Sequence, residues 1–224
     1  MKALRRSPLH ESLARLRPEW GVVNSMATPL RFAHATGSAI ELADLSALRR
    51  TGLKGPGAGD WLRARGVPVP ERPNMWCPLA ADGLVARLAR SEFLIEDGAR
   101  GNSVSPLQAA LRDGAAGVYP VLRQDAALAL RGEAVHDLFA QTCNIDFKSI
   151  PPLERAVTLT MMIGVPVTIV DASLDDKLCY RIWCDGTYGA YLWDALLEIA
   201  TELGGGAVGL AAVIPDPPIE TPPQ

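Results

Sequence analysis

Histidine is scarce in this sequence: His10, His34 and His136 are the only three, and no two stand at the short spacing of paired metal ligands. A zinc site draws on three or four convergent ligands, so the chain offers no local pair to nucleate one, and no metal residue is assigned. Cysteine is also little used. Cys77 and Cys143 are isolated, there is no CxxC, and Cys179 and Cys184 lie an odd number of positions apart, on opposite faces of an expected strand. A reduced, cytoplasmic protein is the simplest expectation. Positive charge is not in excess: 22 Lys and Arg against 25 Asp and Glu give a formal charge of −3, so no nucleic-acid partner is expected. Long apolar runs are missing as well. The most apolar stretch, residues 156–170, is broken by Gly164 and Pro166 and is too short to span a bilayer. The start, MKALRRSPLHESLARLRPEW, carries charge throughout and does not read as a secretory signal, so no membrane partner is expected.

What the chain does have is enough apolar residue for a core: 224 residues, 48% hydrophobic and 21% charged, sit near the average for globular domains. Leu9, Leu13 and Leu16 share a helical face after Pro8, while Leu4 precedes it, giving an N-terminal helix. That helix packs on its own domain or is laid on a partner. Residues 40–45 alternate as a short strand, and Gly55, Pro56 and Gly57 introduce a helix with Ala58, Trp61 and Leu62 on one face. Residues 67–73 read as a proline-fixed connection, and 83–88 and 92–95 as strands. Residues 96–119 show no strong period.

The pattern then sharpens. Residues 127–130 form a strand, and Gly132 opens a helix with Val135, Leu138 and Phe139 inward. Residues 156–162 and 167–170 are strands about a turn or bulge at 164–166. Leu178, Tyr180 and Ile182 alternate with Cys179, Arg181 and Trp183, and a stripe from Tyr188 to Leu203 marks a long helix ending at Gly204. The fold expected is α+β: two small β-α-β-β-type modules with mixed or antiparallel sheets. The expected organisation is an N-terminal arm at 1–35, a first module at 36–118, a second β-α-β-β-β-α module at 119–204 and an extended glycine- and proline-rich tail at 205–224.

Candidate catalytic groups have structural readings that account for them. GPGAGDWL, residues 55–62, lacks the Lys-Ser or Lys-Thr end of an ATP loop and the spacing of a dinucleotide loop, which leaves turn chemistry as the stronger reading over anion binding. Asp175, Asp176 and Lys177 form a solvated connection rather than two acids held across a pocket. Ser91, Ser103, Ser105 and Ser149 have no nucleophile-elbow motif around them. His136, beside Asp137 on a short helix, reads as a surface or satisfied interfacial side chain rather than a catalytic one. No catalytic or cofactor-binding residue is assigned. Trp20, Trp61, Trp76, Trp183 and Trp193 are numerous for this length, and the segment around Trp183 and Trp193 is either enclosed by the chain's own loops or used for assembly.

Three segments together resemble the gamma subunit of heterotetrameric sarcosine oxidase, itself similar to a reduced aminomethyltransferase folate-binding domain. They are IELADLSALRRTGLKGPGAGDWL (40–62), LALRGEAVHDLFAQTCNIDF (128–147), and GVPVTIV followed by YRIWCDGTYGAYLWDALLEIA, the last being the most specific. The resemblance implies a noncatalytic, assembly-stabilising subunit of a cytoplasmic flavoenzyme that oxidatively demethylates an N-methyl amino acid. It implies alpha, beta and delta partners that carry FAD, FMN, NAD, tetrahydrofolate and zinc. The acidic Gly-Gly-Ile-x-Asp-Asp motif of related transferases is absent from ADGLVARLARSEFLIEDG, so no folate residue is carried over. The alternatives are a stand-alone folate-dependent aminomethyltransferase-like enzyme and a small-molecule-binding regulatory module.

Overall fold

The two-residue alternation of the second half is realised as neighbouring strands in a sheet, and the long apolar stripe as a helix lying on it. A computed structural model describes residues 5–33, 39–151, 154–173 and 178–220. The expectations for Leu4, His34 and the acidic pair Asp175 and Asp176 with Lys177 fall outside the described residues. In chain order the elements are β1 (Arg5–Arg6), α1 (His10–Arg15), β2 (Glu19–Val23), β3 (Met26–Arg31), β4 (Glu41–Asp44), β5 (Arg50–Lys54) and α2 (Ala58–Arg63). Next come β6 (Met75–Leu79), β7 (Gly83–Ala89), β8 (Glu92–Glu96), α3 (Val104–Arg112), β9 (Tyr119–Val121), β10 (Ala126–Arg131) and α4 (Val135–Thr142). The chain ends with β11 (Val157–Met162), β12 (Val165–Asp171), β13 (Cys179–Cys184), α5 (Gly189–Glu202), β14 (Gly206–Ala207) and α6 (Leu210–Val213). This is an α+β architecture with mixed and antiparallel sheets.

Two compact units are present, and they do not follow chain order. The first comprises Met1–Ala47, Gln124–Pro152 and Thr158–Gln224; the second comprises Leu48–Arg123 and Leu153–Val157. A division at residue 118 would separate strands that are bonded to each other. β4 pairs antiparallel with β10, Leu42 opposite Leu130, and lies beside β14 in a sheet of order β11-β12-β13-β10-β4-β14. β14 runs parallel to β4 and makes that sheet mixed.

A large core cluster lies on one face of the first unit's six-stranded sheet. Leu128 and Leu130 of β10, Val167 and Ile169 of β12, and Tyr180, Ile182 and Cys184 of β13 point to the same side of the sheet. They meet Leu138 and Phe139 of α4 and Leu192, Trp193 and Leu196 of α5. Leu9 and Leu13 are fully buried in this core, so α1 packs on its own unit rather than on a neighbour. Leu16, the third residue of the stripe, stays 38% exposed. The stretch read as an arm also holds strands: β2 and β3 join through Asn24 and Ser25, whose φ angles of 49° and 61° make the left-handed pair that a two-residue hairpin demands. The tail is likewise docked over much of its length. Val208 donates its N–H to the Leu42 carbonyl, and the Glu220 N–H reaches the Val22 carbonyl.

The second unit is a five-stranded antiparallel sheet of order β6-β7-β8-β5-β9. Ala58, Trp61 and Leu62 of α2 and Val104, Leu107 and Leu111 of α3 cover Leu53, Val85, Phe93 and Ile95. Residues 96–119, without a legible period, contain α3. Its first turn is capped from a distance, because Asp97 accepts the Ser103 N–H at 2.9 Å through Oδ1 and the Val104 N–H at 3.1 Å through Oδ2. Beside it, Arg50 and Glu96 face each other across β5 and β8 and form an ion pair of 2.9 Å, with side chains only 4% and 0% exposed. Removing one partner strands a charge in the interior. Glu96→Gln should therefore lower unfolding free energy by about 3–5 kcal/mol in urea denaturation, whereas Glu92→Gln, in a more exposed pair with Arg123, should cost less than about 1 kcal/mol.

Candidate functional site

The glycine loop before α2 has its amides already engaged. Gly55 takes φ +124°, and a Cβ there would collide with the Gly117 carbonyl oxygen. The Gly55 N–H donates to the Ser91 carbonyl, that of Gly57 to Gly117 and that of Ala58 back to Gly55. With these three donors occupied the loop cannot cradle a phosphate as an ATP loop does, which requires amides aimed at the ligand. The turn reading holds for physical reasons: the close approach to Gly117 leaves no room for a side chain.

A cleft of about 440 Å³ lies beside this loop, lined in part by Asp60, Arg63, Arg87, Arg90 and Ser91. Two of its arginines, Arg63 and Arg87, are held by neighbours. Arg63 is held by Asp60 at 2.7 Å. Arg87 donates to the carbonyls of Pro70, Glu71 and Arg90 at 3.1, 2.7 and 2.7 Å, so its guanidinium braces the proline-rich connection and the turn after β7. A second groove of about 490 Å³ lies between α3 and β9, with walls that include Leu111, Pro120, Val121 and Leu122. Sequence pattern did not reveal either. The one available signal for the second was the solitary Leu122, 80% exposed next to a strand end.

In the first unit, His136 and Tyr180 form the closest approach to a catalytic pair. Nε2 of His136 is 2.8 Å from the Tyr180 hydroxyl, and the rings meet edge-on at 5.7 Å. Phe139 and Phe147 pack on the other faces of Tyr180, with centroids at 4.9 and 5.5 Å. Desolvation pushes the Tyr180 hydroxyl well above its ordinary pKa, with Asp171 adding to the effect. The phenol therefore stays protonated and serves as a hydrogen-bonding group. Desolvation and then the Lys148 ammonium lower the pKa of His136, against the opposing pull of Asp171, Asp137 and Asp146. His136 is thus a half-buried side chain hydrogen-bonded to a buried phenol within its own unit.

The remaining candidates are dispersed. The four cysteines are free thiols. Burial raises the pKa of Cys77 and Cys179 and, for Cys184, carries it to about 12, so these three lack the thiolate character of a nucleophile. The Ser149 hydroxyl donates to the Asp146 carbonyl. The ring of His10 lies 4.9 Å from that of Trp20. Among the described residues no group of three or more His, Cys, Asp or Glu could hold a metal ion. Among them too, no helix is long and apolar enough to cross a membrane. Of the two readings of Trp183 and Trp193, these side chains take enclosure by the chain itself, at 3% and 0% exposed with Trp193 in the core, whereas Tyr188 and Tyr191 between them stay exposed.

No family model matches the chain, and no curated protein matches its sequence. Several solved structures share its fold. The glycine cleavage system aminomethyltransferase T from Bartonella henselae matches with a TM-score of 0.71 at 18% identity, over 93% of this chain and 60% of that one. The chain thus spans 60% of the transferase's length. A chain of the heterotetrameric sarcosine oxidase from Corynebacterium sp. U-96, in complex with pyrrole 2-carboxylate, matches with a TM-score of 0.66 at 20% identity, over 92% of this chain and 99% of that one. The fold is that of these proteins.

Two outcomes follow from the site geometry. Gly55→Ala should destabilise the chain by about 1–3 kcal/mol in thermal or urea denaturation, because it joins a strained φ to a backbone collision. Because the folded-state pKa of His136 is depressed, its contribution to stability is full above the unfolded value near 6.5 and is lost as pH falls through the lower folded value. Denaturation between pH 7.5 and 5 should show that decline, and His136→Gln should remove part of it.

Proposed function

We propose that this chain is a noncatalytic accessory subunit, gamma-like, of a multi-subunit flavin-dependent enzyme that oxidatively demethylates an N-methyl amino acid such as sarcosine. The observation that carries this reading is the match to a chain of a heterotetrameric sarcosine oxidase, which takes in 92% of this chain and 99% of the other. Two chains that superpose over nearly their whole lengths carry the same set of elements. The transferase, by contrast, has substantial structure that this chain does not match.

The side chains favour the same reading. A flavin oxidase contributes a site that orients the amine against the cofactor, since the cofactor supplies the redox chemistry. Here the half-buried arginines brace carbonyls, the best histidine is bonded to a buried phenol, and the glycine-loop amides are spent within the fold. In this reading FAD, FMN, NAD, tetrahydrofolate and zinc belong to alpha, beta and delta partners in the cytoplasm, and this chain stabilises the assembly. The second reading is a folate-dependent aminomethyltransferase-like enzyme acting alone, favoured by the higher TM-score of the transferase.

Isolation of the tagged chain from its source cells, followed by native mass measurement and absorbance, separates the two readings. The accessory role predicts a yellow complex with larger chains that oxidises sarcosine or a related N-methyl amine. The chain expressed alone should be colourless and should bind no tetrahydrofolate in titration. Turnover, or tight tetrahydrofolate binding, by the lone chain would overturn the accessory role.

A further inference from the structure

The groove between α3 and β9 has a composition that the interior of its own unit does not explain. Its lining includes Arg50, Arg112 and Arg123 but no acidic residue, and Leu111, Val121 and Leu122 supply an apolar wall. Two of these guanidinium groups are matched by acids that do not line the groove, Arg50 by Glu96 and Arg123 by Glu92. Arg112, in the last turn of α3, is exposed and has no ion pair among the described residues. Leu122 is 80% exposed, more than any other large hydrophobic side chain among them.

The backbone next to the groove restricts how it can be used. β9 is an edge strand, bonded to β5 alone within its sheet, and Pro120 occupies its middle position. A proline on an edge strand blunts the addition of a further strand. Recognition there must therefore run through side chains: a cavity for apolar groups, with a cation at its rim.

We propose that this groove is the docking surface for a larger, flavin-bearing subunit, and that it takes from that partner an aliphatic side chain with a neighbouring Asp or Glu carboxylate. The proposal rests on the accessory role and names the surface that performs it. The apolar wall formed by Leu111, Val121 and Leu122 removes the aliphatic group from water. Arg112 pairs with the carboxylate, and a lining that holds no acidic residue disfavours a basic partner. A second copy of this chain is a poor occupant of the groove, because a two-fold contact of this face with itself would bring together two linings that hold arginine and no acidic residue.

The test uses the full chain, tagged and isolated from its source cells, with bound flavin per chain as the readout. Leu122→Ser and Arg112→Glu should each reduce retained flavin roughly tenfold, the scale of a lost interface anchor or a reversed rim charge. Arg112→Lys should retain most of it, and so should Leu159→Ser, which changes an exposed apolar residue on β11. Circular dichroism of each lone variant checks that the fold is intact. If wild type carries flavin and all four variants carry as much, the groove proposal fails and the accessory role stands. If wild type carries none, both fail. A concentration-dependent dimer of the lone chain, seen by light scattering and abolished by Leu122→Ser, would overturn the choice of partner in favour of a second copy.

Discussion

The buried ion pair between Arg50 and Glu96 organises the second unit. Taking two charges out of water is costly, and the pair persists because each satisfies the other across adjacent strands in register. The pairing fixes where β5 and β8 lie along each other. The residue after Glu96 is Asp97, which caps α3, and the side-chain amide of Gln108 on that helix donates back to the Arg50 carbonyl at 3.2 Å. A short circuit of polar contacts thus joins two central strands to the helix that covers them. The hydrophobic contacts of Leu107 and Leu111 add area to an arrangement whose register is already set.

Legibility in the sequence followed period and length. The elements of the second half were readable because their alternation is clean: Tyr180, Ile182 and Cys184 are buried in the core and α5 buries one face over several turns. β2, β3, β5, β6 and β9 were not marked as strands. Pro29, Pro78 and Pro120 interrupt β3, β6 and β9, and Arg50 lies buried in β5 where a polar residue suggests a surface. Two-residue hairpins also hide their ends when the turn is Asn24-Ser25 rather than Asn-Gly. The long-range cap from Asp97 has no local pattern at all, since six residues separate it from the N–H of Ser103. The site readings were legible in part. The glycine loop and His136 have the structural uses expected of them, whereas Trp193 looked available for assembly because a helical stripe does not reveal how wide its buried face becomes.

Fold and function come apart in this protein in an instructive way. The same architecture occurs in an aminomethyltransferase and in a chain of an oligomeric oxidase, so the fold alone does not choose between chemistry and scaffolding. The polar side chains narrow that choice. Arg87 holds backbone carbonyls and Arg50 a buried carboxylate, and burial keeps the Cys184 thiol protonated.

The discontinuity of the first unit has a consequence during synthesis. The second unit is built almost entirely from one uninterrupted stretch of chain, so its sheet has all five of its strands as soon as residue 123 has left the ribosome. The first unit must wait. Its β4 is made early, yet β10, β13 and β14, which complete that sheet around it, are made much later. The nascent protein therefore carries one finished body while the strand made before it still lacks its neighbours, and chaperone protection would matter most in that interval.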